Sequence, residues 1–276
     1  MLKRCLAMHD FSCVGRCSLT VAIPIISAMG VEASAIPTSV LSTHTGGFSN
    51  YTYRDLTNDI EPIVKHIKSL NTNIDSIYTG YLGKAQIGVV SESIDLLKDN
   101  KTVVLIDPVM ADNGELYPGF DLEYVQLMKK YITKGNVIIP NITEACLLTG
   151  IKYKETYDKV YIESLINSLS ELTNSKIVLT GVSFEDNLIG AAGKESNDIK
   201  YCFTNKIPEM YHGTGDVFAS VVIGGLMNDK SLLESTSIAC DFVRNSIIET
   251  RKYNLEKRYG VTFEPVLYTL REELNK

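Results

Sequence analysis

The 276-residue chain is 45% hydrophobic and 22% charged, a globular balance that excludes disordered, collagen-like and low-complexity classes. Its formal net charge of −6 is spread along the sequence without a basic stripe, which argues against nucleic acid as a partner. No stretch nears the roughly 20 apolar residues of a membrane span, and Met1-Leu2-Lys3-Arg4 runs into a strand-like segment without the apolar core of a signal peptide, so a cytoplasmic protein is expected.

Short β-rich apolar runs alternate with longer segments of helical period. Cys5–His9 reads as a strand, Ser18–Met29 as a helix ended by Gly30, and Val31–Pro37 as a second strand. Asp55–Leu70 is helical despite Pro62; Asp75–Thr79 is a strand and Ala85–Lys98 a helix. The strongly apolar Thr102–Ile106 reads as a strand buried on both faces. Then come a helix at Leu122–Ile132, a strand at Val137–Ile139, and a short helix at Asn141–Leu148 closed by Gly150. Ile162, Leu165, Ile166, Leu169 and Leu172 fall at i, i+3, i+4, i+7 and i+10, one apolar helix face. Ile177–Leu179 is a buried strand, Ile189–Ala192 and Ile199–Phe203 form a hairpin, and Asp216–Met227 and Leu232–Glu249 are helices. This alternation predicts one α/β domain over residues 1–276, with a mostly parallel central sheet between two helical layers.

The six cysteines, Cys5, Cys13, Cys17, Cys146, Cys202 and Cys240, contain no C-x-x-C pair, and nothing completes a zinc pattern around Cys13 and Cys17. Buried free thiols are expected. His9 and His44 have no third ligand near in sequence, so a histidine metal site is not expected.

In such sheets ligands sit at the carboxyl ends of the strands. Gly213-Thr214-Gly215-Asp216 opens a helix there. Its glycines leave amides uncovered at the positive end of the helix dipole, an anion hole suited to a transferred phosphoryl group, and Asp216 could accept a proton from an attacking hydroxyl. The same four residues also read as a glycine turn with Asp as a helix cap. Asn141-Ile142-Thr143-Glu144 admits two readings as well: a group holding water-clad Mg²⁺ and phosphate oxygens, or a plain capping arrangement. Asp107-Pro108-Val109-Met110 places a carboxylate just after a buried strand, or merely starts a turn. In Thr79-Gly80-Tyr81-Leu82-Gly83, Tyr81 either stacks on a flat ligand ring or only packs. Ser42-Thr43-His44-Thr45-Gly46-Gly47 is a substrate loop or a solvated one. Neither G-x-x-x-x-G-K-[ST] nor a G-x-G-x-x-G after the first strand is present, so this is neither a P-loop enzyme nor a well-marked dinucleotide binder.

Taken in order, the Gly-bearing turn after the first strand, T-G-Y-L-G, D-P-V-M, P-N-x-x-E, V-L-T-G and G-T-G-D resemble the ribokinase-like superfamily, and most of all its vitamin B6 branch, the pyridoxal/pyridoxamine kinases. The resemblance implies a ribokinase-like three-layer fold and ATP-dependent phosphorylation of the 5′-hydroxymethyl group of pyridoxamine, pyridoxal or pyridoxine. It implies Mg²⁺, often with a monovalent cation such as K⁺, and a homodimer. Asp216 matches the family's base, and Gly213, Thr214 and Gly215 its anion hole. Asp107, Asn141 and Glu144 match residues that hold Mg²⁺ and ATP phosphates, with Asp107 and Glu144 on the metal, while Thr180 sits where the family contacts phosphate. Asp10, Thr45, Gly46 and Tyr81 match positions around the pyridine ring. Thr204–Pro208, with Lys206 and Ile207, matches a loop over the adenine.

The sequence departs from the family pattern in three places. Asp10 stands where many relatives have Ser, which would favour a cationic substrate such as pyridoxamine. Thr180 replaces a Lys, and His212, not Cys, precedes Gly213. Competing expectations are a hydroxymethylpyrimidine (phosphate) kinase of the same superfamily, a non-catalytic ligand-binding relative, and a nicotinamide-dependent dehydrogenase, which the missing glycine fingerprint disfavours.

Overall fold

The apolar runs alternate their side chains between two cores. On the first strand Leu6 and Met8 enter one apolar cluster while Cys5 and Ala7 enter the other. Ile77 and Tyr78 divide in the same way, as do Val104 and Ile106 against Leu105. A strand with period two can be apolar on both faces only if helices cover both. The structure, a computed structural model, describes residues 2–196 and 198–275; Met1, Asn197 and Lys276 of the expected 1–276 domain lie outside the described residues.

In chain order the elements are β1 (Arg4–Val14), α1 (Leu19–Ala28), β2 (Glu32–Thr43), β3 (Tyr53–Asp55), α2 (Thr57–Ser69), β4 (Ser76–Thr79), α3 (Gln86–Leu97) and β5 (Val103–Ile106). There follow β6 (Ala111–Asp112), β7 (Glu115–Leu116), α4 (Leu122–Tyr131), β8 (Val137–Ile138), α5 (Ile142–Thr149), α6 (Lys159–Leu172) and β9 (Lys176–Val182). The chain closes with β10 (Leu188–Glu195), β11 (Asp198–Asn205), α7 (Thr214–Met227), α8 (Leu232–Thr250) and α9 (Tyr268–Leu274).

Among the described residues nine strands form one sheet in the order β11-β10-β9-β8-β5-β4-β1-β2-β3. From β2 to β9 neighbouring strands are parallel; β3, β10 and β11 attach antiparallel at the edges. Helices α1, α7, α8 and α9 pack on one face and α2 to α6 on the other, giving the expected three-layer α/β/α fold. Strand order runs outward from β1 to β2 on one side, then from β4 onward on the other. The switch point therefore lies between β1 and β4, where such sheets bind ligands.

Several elements exceed their expected limits. β1 has 11 residues rather than five, because its polar end still pairs with β2 from Phe11↔Val40 to Val14↔Thr43. β2 has 12 residues for the same reason. α7 begins at Thr214, not Asp216, because Gly213 at φ 76° is its N-cap. Leu172, counted in the buried face of α6, is 36% exposed because it is the last residue of the helix. The short strands β3, β6 and β7 and the terminal α9 carry too few residues for a periodic signal. Four thiols are buried as expected, but Cys13, on the part of β1 beyond its pairing with β4, is exposed, and Cys17, in the loop after β1, is half-buried.

Candidate active site

β1 stays paired with β4 only as far as Met8↔Thr79, and its register against β2 slips between His9 and Phe11. Residues 9 and 10 therefore stand within β1 at the point where its pairing with β4 has ended, and irregular pairing re-aims side chains at such places. His9 is 1% exposed, with Nδ1 2.8 Å from Asp10 Oδ1 and Nε2 3.0 Å from Asp216 Oδ1. Asp216 comes from the first turn of α7, more than two hundred residues later in the chain. Its other oxygen, Oδ2, accepts from the Ser18 N–H at 2.9 Å and lies 3.2 Å from Cys17 Sγ. Ser18 aims that N–H from a left-handed backbone, φ 58°, a conformation non-glycine residues adopt at a cost of about 1–3 kcal/mol.

Burial alone would depress the His9 imidazole, but hydrogen bonds to Asp10 and Asp216 and their negative charges lift it to about 10. His9 is thus an imidazolium at neutral pH. Its Nδ1 then donates to Asp10 Oδ1 and is not an acceptor for the Asp10 amide, 3.0 Å away. For Asp216, burial pushes the carboxyl up, yet the bond and charge of His9, the Ser18 N–H and the Cys17 thiol hold it below the ordinary carboxylate range. A buried carboxylate kept ionised at a helix N-terminus has the character of a base.

Gly213, Thr214 and Gly215 shape the turn around this carboxylate. A Cβ on Gly213 would sit 2.2 Å from the Arg16 carbonyl oxygen, so the position requires glycine both for its φ and for the approach of the 15–18 loop. Val217 N–H donates to the Gly213 carbonyl, which leaves the amides of Thr214, Gly215 and Asp216 ahead of the first intrahelical bond. Asp107 faces this turn: its Oδ2 lies 3.9 Å from where a Gly215 Cβ would begin.

The second acidic group follows from α5. Asn141 and Glu144 form the capping box that their spacing allows. Asn141 Oδ1 accepts from Glu144 N–H, and Glu144 Oε2 accepts from Asn141 N–H at 2.8 Å. The pair also ties down the segment after β5: Met110 N–H donates to Glu144 Oε1 at 3.1 Å, and Asn141 Nδ2 donates to the Ala111 carbonyl at 2.8 Å. Burial, together with the nearby Asp216 carboxylate, raises Asp107. Burial, and then Asp107, raises Glu144. These two carboxylates are held close together at an energetic cost that a cation would remove. Thr180 lies beside Asn141 in a parallel bridge, its N–H on the Pro140 carbonyl at 2.9 Å.

On the β1–β2 side, Tyr81 is half-buried, with its ring 5.6 Å from that of Phe120. Burial, then the charges of Tyr53 and Asp10, raises its hydroxyl to about 12. Thr45 is exposed, and Gly46 lies against His212: a Cβ there would meet that imidazole at 2.7 Å. The expected substrate loop and glycine turn are therefore neighbours. Lys206 and Ile207 stand apart, following β11 two strands out from β9; the Lys206 N–H bonds the Asn187 carbonyl at 2.8 Å.

No motif in the sequence assigns a site role to His9, Cys17 or Ser18. The adjacent polar pair His9-Asp10, at the expected end of the first strand, is the available signal. Nor does the sequence single out Arg258, whose carbonyl meets His44 Nε2 at 2.6 Å and whose side chain covers the Phe48 ring.

Residues 22–262 match the family described as phosphomethylpyrimidine kinase. The chain is similar to pyridoxal kinase from Lactobacillus plantarum, at 32% identity and a TM-score of 0.90 over 98% of this chain and 97% of that one. A Bacteroides thetaiotaomicron protein, provisionally described as a phosphomethylpyrimidine kinase and solved with pyridoxal, is 36% identical, with a TM-score of 0.91 over 98% of this chain and 96% of that one. Pyridoxal kinase from Dictyostelium discoideum is 27% identical, covering 98% of this chain and 93% of that relative.

Proposed function

This chain belongs to the phosphomethylpyrimidine kinase family and to the pyridoxal kinases of the ribokinase-like superfamily, and from that membership we propose that it transfers the terminal phosphoryl group of ATP to the 5′-hydroxymethyl group of pyridoxamine, pyridoxal or pyridoxine. The observation that carries the reading is the ionised, buried Asp216 in the same turn as the uncovered amides of Thr214 and Gly215, with Asp107 opposite. Asp216 accepts the proton of the substrate hydroxyl while that oxygen bonds the γ-phosphorus. The bond from phosphorus to the bridging oxygen breaks, and its electron pair leaves on ADP. The amides of the glycine turn face the charge on the phosphoryl group in flight.

Asp107 and Glu144 suit Mg²⁺, being buried hard-oxygen donors whose mutual repulsion a cation relieves. Among the described residues no cluster of three or more His, Cys, Asp or Glu side chains is placed to hold a metal, so waters and nucleotide phosphates would complete the shell. When bound, Mg²⁺ supplies neutralisation of phosphate charge. Asn141 and Thr180 take phosphate oxygens, and Lys206 and Ile207 cover the adenine. Asp10, Thr45, Gly46 and Tyr81 surround the pyridine ring. We assign the chain one kinase domain, a cytoplasmic location, a homodimeric state and stimulation by K⁺, the last two checked by light scattering and by replacing K⁺ with tetramethylammonium.

The deciding experiment gives the purified protein Mg-ATP with pyridoxamine, pyridoxal, pyridoxine or hydroxymethylpyrimidine and quantifies the phosphorylated products. Phosphorylated B6 vitamers support the proposal. Turnover of hydroxymethylpyrimidine alone, the alternative that the description of the matched family favours, would move the substrate and keep the mechanism. No product from any of them would sink the reading.

A further inference from the structure

His9 is a histidine with both ring nitrogens committed to carboxylates, at 2.8 Å to Asp10 and 3.0 Å to Asp216, and all three side chains are buried. Space for the ring is provided by Gly80, directly after β4: a Cβ there would lie 1.8 Å from His9 Nε2. The ring edge rests on Tyr78, centroids 5.8 Å apart at 79°. The imidazole therefore has one orientation, fixed by packing as well as by hydrogen bonds. Neither carboxylate oxygen that it holds is free to rotate away.

A base must present one lone pair to its proton donor and keep the rest of the carboxylate still. The contacts of Asp216 meet that need. His9 holds Oδ1, and the Ser18 amide and the Cys17 thiol hold Oδ2. Through its other nitrogen His9 reaches Asp10, the carboxylate expected at the substrate ring.

We propose that His9 is a positioning residue, which orients the Asp216 carboxylate and joins it to Asp10, so that the ring-facing acid and the base form one Asp–His–Asp unit. This rests on the kinase reading above. The imidazolium keeps Asp216 ionised, and Asp10 offsets part of its positive charge, which limits the loss of basicity at Asp216. His9 makes no direct contact with the reacting atoms in this role; it acts through Asp216.

The test is a double-mutant cycle with His9→Leu and Asp216→Asn, run after the wild-type enzyme has been shown to phosphorylate a B6 vitamer; failure at that first step would count against the kinase reading and not against this one. His9→Leu is expected to lower kcat by about 10²-fold with KM for Mg-ATP within twofold, and His9→Gln, which keeps one uncharged hydrogen bond, to recover part of that loss. Because His9 acts through Asp216, adding His9→Leu to Asp216→Asn should cost almost nothing further. A wild-type kcat in His9→Leu overturns the proposal. So does a double variant in which the two losses simply multiply, the mark of general structural damage. If His9→Leu does not fold, the same cycle with His9→Gln decides between these outcomes.

Discussion

The carbonyl oxygen of Arg16 lies 2.2 Å from where a Cβ on Gly213 would stand. The loop after β1 and the turn that opens α7 thus meet backbone to backbone, and Asp216 is delivered to His9, Cys17 and Ser18 by that contact. Gly213→Ala adds a clash to an unfavourable φ of 76° and is expected to cost about 2–4 kcal/mol and most of the activity. Gly119→Ala is the comparison, with φ 92° and nothing within 4 Å of its Cβ; it should cost about 1 kcal/mol and leave kcat unchanged. Equal unfolding temperatures for the two variants would show that the close approach does not matter.

Asp216→Asn should reduce kcat by two orders of magnitude or more while Mg-ATP still stabilises the protein against heat. A loss below about tenfold would remove Asp216 as the base.

Asp107 is buried beside other acids, so its ionised form strains the metal-free protein. Asp107→Asn should raise the unfolding temperature of the metal-free protein by roughly 2–6 °C. It should also lower kcat about 10²-fold and weaken the dependence of nucleotide binding on Mg²⁺. A lower unfolding temperature would contradict the repulsion argument.

The His9 imidazole is raised from 6.5 to about 10 in the folded protein. The folded state then binds the extra proton more tightly, so the stability this contributes is fully present below pH 6.5 and is lost as pH rises through about 10. Asp107, also raised, adds a loss of the same sign at lower pH. The His9 part is isolated as the difference between wild type and His9→Gln in denaturant titrations from pH 6 to 10. That difference should shrink with pH, and a constant difference would mean that His9 is not charged.

Asp10→Ser removes the carboxylate expected at the substrate ring. It should lower kcat/KM for pyridoxamine more than for pyridoxal, and it should lower kcat for both because His9 loses a partner. An unchanged ratio of the two would refute a selective role for Asp10.

Much of this protein was legible in local chemistry. Runs such as Val103–Ile106 announce strands buried on both faces, and Asn141 with Glu144 announces a capping box; both depend on neighbours within a few residues. The order of the G-T-G-D, D-P-V-M and P-N-x-x-E segments carries the family resemblance, and their positions after strands place Asp216, Asp107, Asn141 and Glu144 at one end of the sheet. Tertiary structure alone decided how those groups are held. His9 and Asp216 are separated by 207 positions, and only the crossing of β1 with the start of α7 brings them to 3.0 Å. The same holds for the Arg258 carbonyl on His44 and for the seat that Gly80 leaves for the His9 ring. Composition and periodicity report which face of an element is apolar. The charge state of a buried histidine is set by which carboxylates the folded chain places on either side of it.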